Sequence, residues 1–132
     1  MDKALLAGIV LAAHLAVIGF NLFGLLAIPL GAWRGWRFVR VRWWRLLHLG
    51  SLAVVALQAL LGRACFLTIW QDDLAGDAAG VPLVMRIVNG LIYWPLPIWA
   101  FTAAYVAVFA YVLALWWWAP PMPSRRPSSA RR

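Results

Sequence analysis

Two histidines, His14 and His48, stand inside the long apolar stretches of a 132-residue chain. Imidazole in that setting could be an axial ligand to haem or to a (bacterio)chlorophyll, because an ionisable group within a membrane segment is a functional suspect by default. Cys65 is the sole cysteine, so one chain can form neither a disulfide nor a cysteine-based metal site. It reads as a small packing residue or as a thiol acting on a partner in an oxidising compartment. Its neighbours Ala64, Phe66 and Leu67 are apolar, and Arg63 is the nearest cation. The sequence offers no nucleophile–base pair, metal-ligand cluster or phosphate loop, so the chain by itself is not expected to be an enzyme.

The elements that position these residues follow from composition. Hydrophobic residues make up 65% of the chain and charged residues 12%, against about a quarter charged in a soluble domain. The net charge of +8 is not spread as in a nucleic-acid binder. Basic residues gather at Arg34 to Arg45 and at Arg125 to Arg132, each directly after an apolar span, while Asp72, Asp73 and Asp77 share another loop. That asymmetry fits the positive-inside rule. The apolar run from Ala4 to Leu30 is too long for a signal-peptide core and is expected to remain as a helix.

The fold class expected is all-α integral membrane, with three transmembrane helices and one short interfacial or re-entrant helix. The spans read as residues 4–30, 46–68 and 98–118, with the short helix at 83–94, all within a membrane domain of residues 1–119. Pro29 and Gly31 are expected to close the first span, and the loop from Gln71 to Gly80 to be soluble. Leu83 to Trp94 reaches only about 18 Å, short of the ~30 Å hydrocarbon core. Three spans place both basic segments on one side, whereas four would separate them. The expected setting is therefore a bacterial inner membrane, with a periplasmic N-terminus and a cytoplasmic C-terminus. Residues 120–132, rich in Pro, Ser and Arg, read as a disordered cytoplasmic tail.

Helical geometry then sorts the faces. At about 100° per residue, His48, Ser51, Val55, Gln58, Gly62 and Cys65 share one arc of the second span. His14 and Asn21 share a face of the first, with Gly24 nearby. Ala103, Ala107, Ala110 and Ala114 form a small-residue stripe on the last span, suited to close helix contact. The plain account of the polar stripe, with Asn21, Ser51, Gln58, Gly62 and Cys65, is helix packing through hydrogen bonds. The sharper account is a cofactor on His14 or His48. Their axial offset of roughly 15–18 Å argues against one haem shared between them. Arg34, Arg37, Arg40, Arg42 and Arg45, interleaved with Trp33, Trp36, Trp43 and Trp44, read as contacts to anionic lipid rather than to bases.

Cys65-Phe66-Leu67-Thr68, followed by Gln71 and Leu74, resembles a Cys-Pro-Leu-Thr-x-x-Glu-x-x-Leu-Arg signature. That signature marks a family of small bacterial membrane proteins described as a domain of unknown function. His14 with Gly24, Arg45-Leu-Leu-His48, and Tyr93-Trp94-Pro95 match in the same order, so the resemblance covers roughly residues 5 to 97. Phe66 stands for the family's Pro, Gln71 for its Glu and Ala75 for its Arg. The resemblance implies a fold and no activity.

The function expected is that of a small accessory or structural subunit of a larger inner-membrane assembly. Its partners would be lipid and other membrane subunits, or a second copy of the chain, and it would carry no cofactor. One alternative is a haem- or pigment-binding subunit using His14 or His48. Another is a component of a lipid or small-molecule carrier.

Overall fold

Backbone polar groups have no water to bond inside a bilayer, so a spanning segment must satisfy them within itself, as a helix does. The computed structural model of the chain describes residues 2–76, 83–92 and 95–123. Among these residues every regular element is helical: α1 (Lys3–Arg34), a 3-10 turn (Phe38–Arg40), α2 (Arg42–Leu60), α3 (Phe66–Ala75), α4 (Leu83–Ile92) and α5 (Ile98–Trp118). Three of them, α1, α2 and α5, are long and apolar enough to cross a membrane.

α1 runs one turn beyond its expected end. Pro29 lies inside it, and the last turn is held by tertiary contact. Ile28 is fully buried, and Gly31 lets Val39 of the 3-10 turn come so close that a Cβ would meet it at 2.6 Å. The helix stops at Gly35, which takes φ 74 and returns its N–H to the Gly31 carbonyl. Glycine adopts that left-handed conformation without the steric cost of a Cβ.

α2 differs more from the expected 46–68. It begins at Arg42, so the last part of the basic connector, Arg42 to Arg45, is helical, and it ends at Leu60. Gly62 turns the chain at φ 67, and the Arg63 N–H bonds back to the Gln58 carbonyl. Its 19 residues rise about 28 Å, close to the ~30 Å of a hydrocarbon core, so no further helix is needed to cross. Residues 66–75 become the separate helix α3, which packs more extensively against α1 than α2 does. The stretch expected to be a soluble loop is thus helical as far as Ala75. The short helix appears as α4, ending at Ile92. Tyr93 and Trp94 lie outside the described residues, and so does most of the expected tail.

Arg45 locks one end of the bundle. Expected among the lipid-facing arginines, it is instead 1% exposed. Its guanidinium donates to the carbonyls of Ala119 at 2.8 Å, Leu115 at 3.0 Å and Val39 at 3.4 Å, and it lies over the Trp116 ring. The last carbonyls of a helix lack intrahelical partners and carry the negative end of its dipole. A cation with several fixed donors answers both, and that draws Arg45 inward. The Arg40 carbonyl accepts the Met122 N–H at 3.0 Å. The basic connector and the end of α5 therefore share one end of the bundle, with α3 and α4 at the other.

Arg45→Met removes the guanidinium and strips the Ala119 and Val39 carbonyls of that donor in a buried site, while the Leu115 carbonyl keeps the Ala119 N–H. The expected loss is about 2–3 kcal/mol, read as an earlier midpoint in SDS-titrated unfolding. Arg45→Lys recovers only part of it, since one ammonium does not reproduce the fork. A variant as stable as the parent would remove Arg45 from its place as the lock.

Candidate functional site

His48 is fully buried where α1 and α2 come closest. Its Nε2–H donates to the Asn21 carbonyl at 3.0 Å, since a carbonyl can only accept. The ring stacks on Trp44, with centroids 5.9 Å apart and planes within 6°, and meets the edge of Phe20. Gly24 makes the approach possible: a Cβ there would lie 2.2 Å from Nε2. Trp44 belongs to a larger cluster with Phe20, Phe23 and Phe38, and Phe38 stacks in turn on Trp36. This imidazole fills a fitted slot between two helices, with no space at Nε2 for the face of a macrocycle.

One turn along the same contact, the Asn21 side-chain amide donates to Ser51 Oγ at 2.8 Å and to the Val17 carbonyl at 3.0 Å. The other members of the expected polar stripe behave differently. Gln58 Oε1 accepts the Phe66 N–H at 3.4 Å, so its side chain starts α3. Gly62 makes the turn after α2, and Cys65 precedes α3, so neither lies on an α2 face. Ala103, Ala107, Ala110 and Ala114 are all exposed. Arg34, Arg37 and Arg42 are exposed as well, with Arg34 over Trp36, and Arg40 is half-buried.

His14 occupies a second setting. It is 5% exposed, and its Nδ1 has no hydrogen-bond partner among the described residues. It lines a partly enclosed cavity of about 230 Å³ between α1, α2, α3 and α5. The cavity exists because α2, pinned to α1 around Gly24 and Asn21, makes little contact with it elsewhere. Cys65, Arg63, Thr68, Gln58, Thr102 and Tyr105 share the lining with His14, and the remaining walls are mostly apolar. Since His48 is seated at Asn21 and Gly24, His14 lies 7–10 residues away along α1, about 10–15 Å by helical rise. The two histidines serve different sites.

Sequence reasoning missed Thr68, which is fully buried with an unpartnered Oγ1. It also missed the ion pair at 3.2 Å between Asp72 of α3 and Arg86 of α4. The available signal was amphipathic: Thr68 and Asp72, four residues apart, share the face of α3 that is buried. Asn89 Oδ1 accepts the Leu96 N–H at 3.1 Å, which ties the end of α4 to the approach to α5. Among the described residues no three His, Cys, Asp or Glu side chains come together as a metal site would require.

The model of a family described as "Protein of Unknown function (DUF2784)" matches residues 4–121. Neither a curated protein nor a solved structure matches the chain.

Gly24→Ala forces a methyl into the His48 ring, which Trp44 and Asn21 hold in place. Overpacking there is expected to cost about 1–3 kcal/mol. Gly19→Ala, with nothing within 4 Å of the new methyl, is expected to be neutral or stabilising. Equal melting shifts for the two variants would remove the steric argument.

Proposed function

The chain belongs to the DUF2784 family, and we propose that it is a small accessory or structural subunit of a larger assembly in a bacterial inner membrane. The observation that carries this reading is the outward face of α5. Ala103, Ala107 and Ala110 line one wall of a shallow groove whose other wall is Ala59 and Leu60, at the end of α2, and Gly62 just beyond. Small residues let helix backbones approach closely, and in lipid, packing of this kind drives association. The occupant proposed is a transmembrane helix of another subunit, with small residues facing the groove. Within the chain only 22%, 22% and 17% of the most apolar windows of α1, α2 and α5 is buried, so much of each span is free for such contacts. The role asks for no chemistry from this chain.

The orientation proposed puts the basic end, with Arg34, Arg37 and Arg42, in the cytoplasm against anionic headgroups. α3 and α4 then face the periplasm. Alkaline phosphatase, active only in the periplasm, is expected to be inactive when fused after Ala119 and active when fused after Gly76. The reverse pattern would invert the topology.

Purification of the tagged chain in mild detergent is expected to bring down a membrane protein in stoichiometric amount. Ala107→Leu and Ala110→Leu are expected to release it while leaving the helical content unchanged, because both alanines are exposed. A monodisperse single chain would overturn the reading, as would a partner retained by both variants. A homo-oligomer broken by them would keep the surface and replace the partner with a second copy.

A further inference from the structure

We propose that the cavity beside His14 is a binding site for one chain of an anionic acyl lipid, drawn from the leaflet on the α3/α4 side. This goes beyond the subunit role and does not rest on it. The argument is one of length, polarity and unmet hydrogen bonds. On α1 the lining runs from His14 to Leu25 and on α5 from Ile98 to Val108, with Leu52 to Ala59 of α2 beside them. The ten or eleven residues on α5 and α1 rise about 15–17 Å, close to half of a ~30 Å hydrocarbon core. The cavity therefore has the length of one leaflet.

Its two ends differ in kind. Toward α3 the lining includes His14, Thr68 and Arg63, and toward the middle of the bundle it is Leu25, Leu52 and Val108. Asn21, part-way along, spends its side-chain N–H groups on Ser51 and Val17. Its Oδ1 is left without a partner among the described residues, and two more unpartnered atoms lie at the polar end. His14 is 5% exposed and Thr68 fully buried, and neither His14 Nδ1 nor Thr68 Oγ1 has a partner among the described residues. Buried polar atoms are rarely left so, and each orphan asks for a partner such as a ligand or ordered water. Arg63, exposed at the rim, adds a cation that suits a carboxylate or a phosphate.

Size selects among apolar ligands. About 230 Å³ exceeds the roughly 150 Å³ that admits benzene and falls short of the ~300–1,000 Å³ of pockets for drug-sized molecules. A chain fits such a space better than a macrocycle. Entry from the α3 side sets the head against Arg63, His14 and Thr68, with the tail directed toward Leu52 and Val108. A free fatty acid and a phospholipid share this chemistry, and the test separates them.

The experiment uses the full chain in detergent with two photoreactive probes: palmitate carrying a mid-chain diazirine, and phosphatidylglycerol carrying the same modified chain. Mass spectrometry then maps the adducts. Adducts are expected on inward residues such as Val55 and Phe101, above those on outward Leu15 and Leu26. Val55→Phe and Val108→Phe fill the cavity from different helices, and each is expected to cut inward adducts by about tenfold with melting unchanged or raised. Labelling by palmitate alone assigns a free fatty acid, and labelling by phosphatidylglycerol alone assigns a phospholipid. In either case Arg63→Gln should weaken capture. Adducts confined to outward positions, or inward adducts indifferent to both Phe variants, would overturn the proposal and leave water as the partner of His14 and Thr68. A visible absorption band lost on His14→Phe would overturn it in favour of haem.

Discussion

The end of a helix in a membrane presents carbonyl groups that neither lipid nor the helix itself can satisfy, and in this chain Arg45 meets that need for α5. Its guanidinium reaches the carbonyls of Leu115 and Ala119 and also that of Val39, so the end of α5 and the connector before α2 converge on one side chain. Burying a cation is costly unless it is compensated. The compensation here is the negative end of a helix dipole and the face of Trp116. Once Arg45 is fixed, the basic connector lies across the end of α5, and α2 must leave from that point. The remaining geometry follows from where α2 then goes.

α2 meets α1 closely at one level only. Gly24 admits the His48 ring, and Asn21 reaches Ser51, so the helices touch where a residue without a side chain faces the largest buried ring on α2. Beyond that level they contact each other little, and α3 packs back against α1. A cavity is the direct result of two helices pinned at one point while a third covers the gap. Its polar residues lie toward the α3 end because that is where α2 gives way to Arg63, Cys65 and Thr68. Its inner end is apolar because Leu25, Leu52 and Val108 wall it there.

α3 and α4 give the chain a second layer at that end. The Asp72–Arg86 pair joins them, and the Gln58 carboxamide anchors the first turn of α3. The charged Glu–Arg combination implied by the resemblance is missing at Gln71 and Ala75, and an ion pair instead links Asp72 to a different helix. None of these partners is near in sequence, so periodicity on one helix does not expose them.

The sequence by itself determined the class of the fold and the number of spans. Length, apolarity and the placement of arginines answer to the thickness of a bilayer and the cost of charge within it, both of which act locally along the chain. It also determined which faces of α1 and α2 are polar, since Asn21, Ser51 and His48 meet as helical spacing requires. Only the tertiary structure decided what Arg45, Gln58 and Thr68 do. Arg45 has the composition of a lipid anchor, but two of its three carbonyl partners, on Leu115 and Ala119, are 70 and 74 residues away. Gln58 and Cys65 share an arc only if α2 continues, and Gly62 ends that continuity by turning at positive φ. The cavity depends on the distance between helices, which follows from a ring seated against a glycine and cannot be read along any one of them.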